Sequence, residues 1–354
     1  MTAPMNIPFP CASNPHLDRV REDNISWMLE RELLDSGPSL ERYRAGDFPE
    51  LYCYVYPYAE YEDIRLLVDF EMFMFLYDDQ FAGARGENLE DAIDAMGEFM
   101  SIMYGRHGAH GAEDAQTGLS RLGRAFSDIL PRMTDGMSAG WCRQFFWSCQ
   151  RFFVSYIHEA ENRLRKNEAI DLNLYLKQRQ WALGVEPSID AIERGGRFEI
   201  AEQIRSHPIV LGMREDVNYF VALTNDIDSL HKEEFTGDVN NSVFLLERYH
   251  RMDHEEAVGM VTGMAQEAVD RFRRRHEMLR TAHQYKSLPH EVRADTDRYV
   301  AGLQNWISGY YKWTKHTGRY AAENVEREAE PWTLHELLRE TPWAGPSPRR
   351  RHPR

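Results

Sequence analysis

Residues 213–234 read MREDVNYFVALTNDIDSLHKEE. Every fourth residue gives Val217, Val221, Asn225, Ser229 and Glu233. A helix stacks residues four apart on one face. That face is therefore apolar for two turns and then carries an amide oxygen, a hydroxyl and a carboxylate. All three are hard oxygen donors, and such a set suits one Mg2+ ion with water or phosphate oxygens completing the octahedron. Lys232 stands beside Glu233, where it could reach a phosphate. The spacing alone is equally served by a polar helix end on which an Asn and a Ser happen to align.

A second helix reads YEDIRLLVDFEMFMFLYDDQFAG over residues 61–83. Ile64, Leu67, Met74 and Phe75 fall near one face, and Asp78 lies about one turn beyond Phe75. The apolar stripe thus ends in a carboxylate pair, Asp78-Asp79, and Gly83 is expected to stop the helix. A carboxylate that continues a core-facing stripe must be paired or metal-bound. Segment 60–98 holds twelve acidic residues against Arg65 and Arg85, so ten of the fifteen net negative charges lie there. Most of these acids read as a solvated helix surface followed by an acidic helix start.

The rest of the 354-residue chain has the same helical periodicity. Apolar residues recur at three and four, and strand-like alternation is hard to find. Gly105, Gly108, Gly195-Gly196 and Gly237 separate the periodic runs. No fixed-period repeat or Gly/Ser linker divides the chain, so one all-α domain of roughly ten or more helices is expected. Its boundaries are an N-terminal coil over 1–15, the domain over 16–335, and a flexible Pro/Arg-rich tail over 336–354. The net charge of −15 argues against nucleic acid, whose phosphates need basic faces. Four scattered cysteines and the lack of a signal-peptide pattern fit reduced thiols in a cytoplasmic protein. No apolar run is long enough for a membrane span. There is no GxSxG elbow, P-loop or GxGxxG, and the His residues show no HExxH spacing.

The motif N-D-I-x-S-x-x-K-E from Asn225 to Glu233 resembles the second metal motif of the bacterial class I terpene synthases. Asp78-Asp79, 147 residues upstream in an aromatic-rich helix, resembles their Asp-rich first metal motif. Arg179, 46 residues before Asn225, is similar to their pyrophosphate-sensing arginine. Arg319-Tyr320 is similar to their C-terminal Arg-Tyr pair. The likeness runs over about residues 15–330. Two positions depart from the pattern: Ala82 where a further acid is usual, and Ala182 where a hydroxyl residue is common.

The resemblance implies a class I terpenoid synthase-like helical bundle with a central apolar cavity. It implies a linear prenyl diphosphate substrate, farnesyl diphosphate first, cyclised to a terpene with release of diphosphate. The implied cofactor is Mg2+, three ions, held by Asp78 on one wall and by Asn225, Ser229 and Glu233 on the other. Asp79 is a supporting carboxylate. Arg179, Lys232, Arg319 and Tyr320 would hold the leaving diphosphate. The carbocation needs an apolar, aromatic pocket, for which Met74, Phe75, Trp306 and Phe152 are candidates, with ordinary core packing as the alternative for each. Phe153, next to Phe152 in the same aromatic run, is a candidate on the same footing as Phe152. The backbone from Ala182 to Gly184 would break a helix and aim a carbonyl at the cation. A homodimer also follows from the resemblance. Other readings are a geranylgeranyl diphosphate user, a chain-elongating prenyltransferase, and a member that binds isoprenoid without turnover.

Overall fold

The computed structural model describes residues 4–35, 37–81, 86, 88–105, 118–165, 171–320 and 337–338, with only the backbone of Pro38 and Thr236. Among these residues there are sixteen α-helices and no strand. In chain order they are α1 (Leu17–Glu30), α2 (Pro38–Gly46), α3 (Phe48–Val55), α4 (Tyr61–Asp79), α5 (Leu89–Met103) and α6 (Arg121–Thr134). There follow α7 (Ala139–Leu164), α8 (Leu172–Ala182), α9 (Val185–Gly196), α10 (Glu202–Arg205) and α11 (Pro208–Asp228). The last are α12 (Leu230–Thr236), α13 (Ser242–His250), α14 (His254–Thr281), α15 (His283–Lys286) and α16 (His290–Trp313), and a 3₁₀ turn at Gly318–Tyr320 closes the described domain.

Local chemistry sets several of these boundaries. The Ser120, Ser138, Asp171 and Asp253 side chains accept from backbone N–H groups at the starts of α6, α7, α8 and α14. Pro208 opens α11, where its missing N–H costs nothing. The helix expected across 213–234 is interrupted at Ser229. Its Oγ donates to the Asn225 carbonyl at 2.7 Å, and such back-bonding bends helices. The ligand register survives, because Glu233 N–H still donates to Ser229 O at 2.9 Å.

Helix α4 runs through the core with its middle wholly buried, Phe70, Phe73 and Tyr77 being inaccessible to solvent. Phe73 stacks on Phe126 and meets Phe99 and Phe153 edge-on. Ala257, Val261, Ala265, Ala268 and Val269 form a small-residue stripe on α14 and are fully buried. On the facing helix α11, Asp216 pairs with Arg271 and Arg275 of α14.

The acidic reading of segment 60–98 is corrected on α4. Asp63, Asp69, Glu71 and Asp79 are buried rather than solvated. Arginines from distant helices meet three of them. Arg194 and Arg197 pair with Asp63, Arg132 with Asp69, and Arg319 with Asp79.

The N-terminal coil is strapped onto the helices. Phe9 packs edge-on to Phe272, Pro10 O accepts from Ser308 Oγ, and Asn14 Nδ2 donates to the carbonyls of Tyr56 and Ala59. Of the 336–354 segment only Leu337 and Leu338 are described. Leu337 is buried, donating to Gln80 Oε1 and accepting from Leu122 N–H. Gly83, Ala82 and Gly108 lie outside the described residues.

Candidate active site

One central cavity, about 110 Å³ in volume, opens between the C-terminal end of α4 and the α11–α12 junction. Asp78, Asp79, Arg179, Asn225, Ser229, Lys232, Glu233, Arg319 and Tyr320 all line it. The structure therefore brings together both motifs and all four diphosphate-binding candidates, although they come from α4, α8, α11, α12 and the final 3₁₀ turn.

On the α4 wall the two aspartates differ. The Asp78 side chain is 41% exposed and faces the cavity. Its Oδ1 accepts from Tyr156 OH at 2.9 Å, and Arg319 Nη2 lies 3.8 Å from Oδ2. Asp79 is buried and accepts from Arg319 Nη2 at 3.4 Å. Burial raises its carboxyl above the usual range, and Arg319 and Lys232 oppose that shift. This is the geometry of one presented carboxylate backed by a neighbour that holds an arginine. That arginine also sits over the rings of Phe48 and Phe75, 5.3 and 5.2 Å from their centroids.

On the facing wall the polar atoms form a chain. Asn225 Nδ2 donates to Tyr310 OH and Tyr320 OH at 3.1 and 2.9 Å. Two acceptors on that side turn the amide oxygen the other way, where it accepts from Arg179 Nη2 at 2.8 Å. Ser229 Oγ lies 2.8 Å from Glu233 Oε1, and Arg179 Nη2 lies 4.0 Å from the same oxygen. Asn241 Nδ2 also donates to Glu233 Oε2. Burial pushes the Glu233 carboxyl up, Arg179 opposes, and Asp226 and Asp238 reinforce the shift. Arg179 is itself buried and held by Asp226 Oδ1 at 3.1 Å and Glu159 Oε1 at 3.3 Å.

These residues fit a divalent cation. An amide oxygen, a hydroxyl oxygen and a carboxylate oxygen converge where a guanidinium already sits. Among the described residues no group of three His, Cys, Asp or Glu forms an alternative metal site. The hard-oxygen donor set suits Mg2+ better than a thiophilic metal.

The lower wall is lined by Tyr52, Met74, Phe75, Phe81, Phe152, Ala182 and Leu183, with Glu71 among them. Of the pocket candidates, Met74, Phe75, Phe152 and Ala182 line the cavity. Trp306 does not line the cavity. It is buried on α16 and meets Tyr52 edge-on at 6.2 Å, so Tyr52 stands in front of it. Gly184 is also set back: a Cβ there would meet Met74 Cε at 3.0 Å and Phe152 at 3.6 Å. Phe153 belongs to the core cluster around Phe73.

The break after Arg179 is present. Helix α8 stops at Ala182, Gly184 adopts φ +67°, and α9 starts at Val185. The Ala182 carbonyl lies 3.2 Å from Tyr156 OH and the Gly184 carbonyl 2.8 Å from Ser188 Oγ. Each carbonyl thus shares a hydroxyl hydrogen with a carboxyl group, Asp78 for the first and Glu71 for the second.

Several lining residues escaped the sequence reading. Glu159 and Arg163 pair at i, i+4 on α7, and Arg163 also holds Asp238 at 2.9 Å. Only that spacing could have marked them. Tyr52 comes from α3, and Glu71 lies seven residues before Asp78, on the same side of α4.

A profile described as "Terpene synthase family 2, C-terminal metal binding" matches residues 69–271. The chain is 32% identical to pristinol synthase of Streptomyces pristinaespiralis, over 100% of this chain and 93% of the relative. It is 29% identical to (−)-beta-caryophyllene synthase ((2E,6E)-farnesyl diphosphate cyclizing) of Saccharothrix espanaensis, over 97% and 96% of the two chains. The crystal structure of germacradien-4-ol synthase from Streptomyces citricolor superposes with a TM-score of 0.78 at 29% identity, covering 90% of this chain and 100% of that one. With the two-walled site and this likeness along its whole length, the chain belongs to the bacterial class I terpene synthases.

Proposed function

We propose that the protein is a Mg2+-dependent sesquiterpene cyclase that ionises farnesyl diphosphate, cyclises the carbocation and releases diphosphate. The observation that carries this reading is the convergence of Asp78 on one wall with Asn225, Ser229 and Glu233 on the other, above an aromatic pocket. The farnesyl choice is supported by the relative whose name specifies cyclisation of that diphosphate.

Asp78, Asn225, Ser229 and Glu233 would hold the ions, three in the full complement, and Asp79 supports by keeping Arg319 in place. Bound Mg2+ supplies Lewis-acid stabilisation of the departing diphosphate and a template for its oxygens. Arg179, Lys232, Arg319 and Tyr320 donate hydrogen bonds to that group as its charge develops. In the structure Arg179 and Arg319 rest on carboxylates, Glu159 and Asp226 for one and Asp79 for the other, which fixes them before a ligand arrives. Met74, Phe75, Phe81, Phe152 and Tyr52 exclude water from the hydrocarbon chain, and the aromatic faces among them stabilise positive charge by about 2 kcal/mol when desolvated. No helix among the described residues is long and apolar enough to cross a membrane, and all four cysteines are free thiols. Both facts accord with a cytoplasmic protein; a homodimer completes the reading.

The test is incubation of the purified protein with ten-, fifteen- and twenty-carbon prenyl diphosphates and Mg2+, with hydrocarbons identified by mass spectrometry. A cyclic fifteen-carbon product from farnesyl diphosphate is expected. A cyclic product from the twenty-carbon substrate alone would move the assignment to a diterpene synthase, and no hydrocarbon from any of the three would overturn it.

A further inference from the structure

Glu71 stands at the hydrocarbon end of the cavity. It precedes Asp78 by seven residues on α4, which places it roughly 10 Å down the helix axis from the diphosphate end. It is 1% exposed yet lines the cavity, directly below Met74 and Phe75. The other buried acids of α4 meet arginines. No cation lies within ion-pair distance of Glu71 among the described residues; its partners are hydroxyls from two segments, the end of α3 and α9. Tyr56 OH lies 2.9 Å from Oε1, Ser188 Oγ lies 2.6 Å from Oε2, and Tyr52 also hydrogen-bonds the group.

The hydroxyls have a second set of acceptors. Tyr56 OH is 2.7 Å from the Ser188 carbonyl, and Ser188 Oγ is 2.8 Å from the Gly184 carbonyl. Each hydroxyl carries one hydrogen. With one of them turned to its carbonyl, that hydroxyl can accept from a protonated Glu71 while the other donates to the second carboxyl oxygen. With both turned to Glu71, they stabilise its carboxylate. The two protonation states are therefore each satisfied by rotating hydroxyl hydrogens, with no heavy atom displaced. Burial without a cation pushes the carboxyl up to about 8, opposed by the three hydroxyls, so the resting group holds its proton at neutral pH. The other titratable side chain beside it, Cys149, is a thiol that burial keeps protonated.

We propose that Glu71 is the proton donor and acceptor of the cyclisation cavity, protonating a neutral cyclic alkene intermediate and taking back the final proton. This rests on the prenyl diphosphate reading above. The first carbocation loses a C–H proton to the departing diphosphate, and the C–H pair becomes a C=C bond. The Glu71 O–H bond then breaks, the π pair of an alkene forms a new C–H bond, and the neighbouring carbon becomes cationic beside the carboxylate. After the second ring closure a C–H bond next to the cationic carbon breaks. Its pair forms the product alkene and its proton returns to Glu71. Diphosphate carries off the one proton released overall, and Glu71 ends the cycle as it began.

The test is a single turnover of farnesyl diphosphate with Mg2+ and the full chain in excess, after equilibration in D2O, compared with E71Q. Wild-type hydrocarbon is expected to gain about one deuterium per molecule. Hydrocarbon from E71Q should gain none and should be less cyclised. Unlabelled wild-type product would overturn the proposal, and so would label in E71Q product at the wild-type level. If E71Q makes no hydrocarbon, the wild-type label decides. Absence of any wild-type hydrocarbon would instead overturn the prenyl diphosphate reading itself.

Discussion

At the scale of single residues, the site is a set of charges that neutralise one another until a ligand replaces some of the pairs. Arg179 touches Asn225 directly and is braced by Glu159 and Asp226. Arg179→Ala or Asn225→Ala should therefore lower steady-state turnover by ~10²-fold or more, since the first removes a donor to the developing charge and the second an oxygen proposed to hold metal. A variant within a few-fold of wild type would show that the residue is misassigned. Glu71 makes a separate prediction for stability. An unfolded glutamate ionises near 4.5, whereas the folded group keeps its proton to about 8. Between these values the native state binds more protons than the unfolded one, so the free energy of unfolding falls as pH rises. The contribution is fully present below the lower value and lost by the upper. The free energy of urea unfolding should fall across this window, and E71Q should remove the share owed to Glu71, on the order of a few kcal/mol, while that of Glu193, also raised by burial, to about 7, remains. The two motifs were legible in the sequence because their ligands lie within nine residues or side by side. Glu71 was not, because its partners Tyr56 and Ser188 are 15 and 117 residues away.

At the scale of elements, two helix interruptions shape the site. The α11–α12 junction at Ser229 keeps the ligand register and leaves the Ser229 hydroxyl oxygen between the Asn225 carbonyl and Glu233 Oε1. The α8–α9 junction depends on Gly184 at φ +67°. An alanine there must adopt a left-handed conformation costing about 1–2 kcal/mol, and its Cβ meets Met74 Cε at 3.0 Å. Gly184→Ala should lower the thermal midpoint by a few degrees, read by circular dichroism; an unchanged midpoint would contradict the assigned backbone. The existence of both helices was legible from periodicity. The displacement of Trp306 behind Tyr52 was not, because periodicity gives the buried face of α16 and leaves open which neighbouring helix covers it.

At the scale of the whole molecule, the net charge of −15 is a poor guide to the ligand. The acids of α4 are largely internal and matched by arginines from α6, α9 and the final 3₁₀ turn. The all-α class was legible because one periodicity runs through the chain. The assembly of the cavity was not, because it joins Asp79 to Arg319 across 240 residues. The central claim is that two walls grip one diphosphate through metal. Its most direct test is diphosphate release from farnesyl diphosphate by the wild-type protein and by Asp78→Ala, with Mg2+ or with chelator. The account predicts release by wild type with Mg2+, loss of release under chelator, and at least ~10²-fold slower release by Asp78→Ala. Release that persists under chelator, or at the wild-type rate in Asp78→Ala, would contradict it.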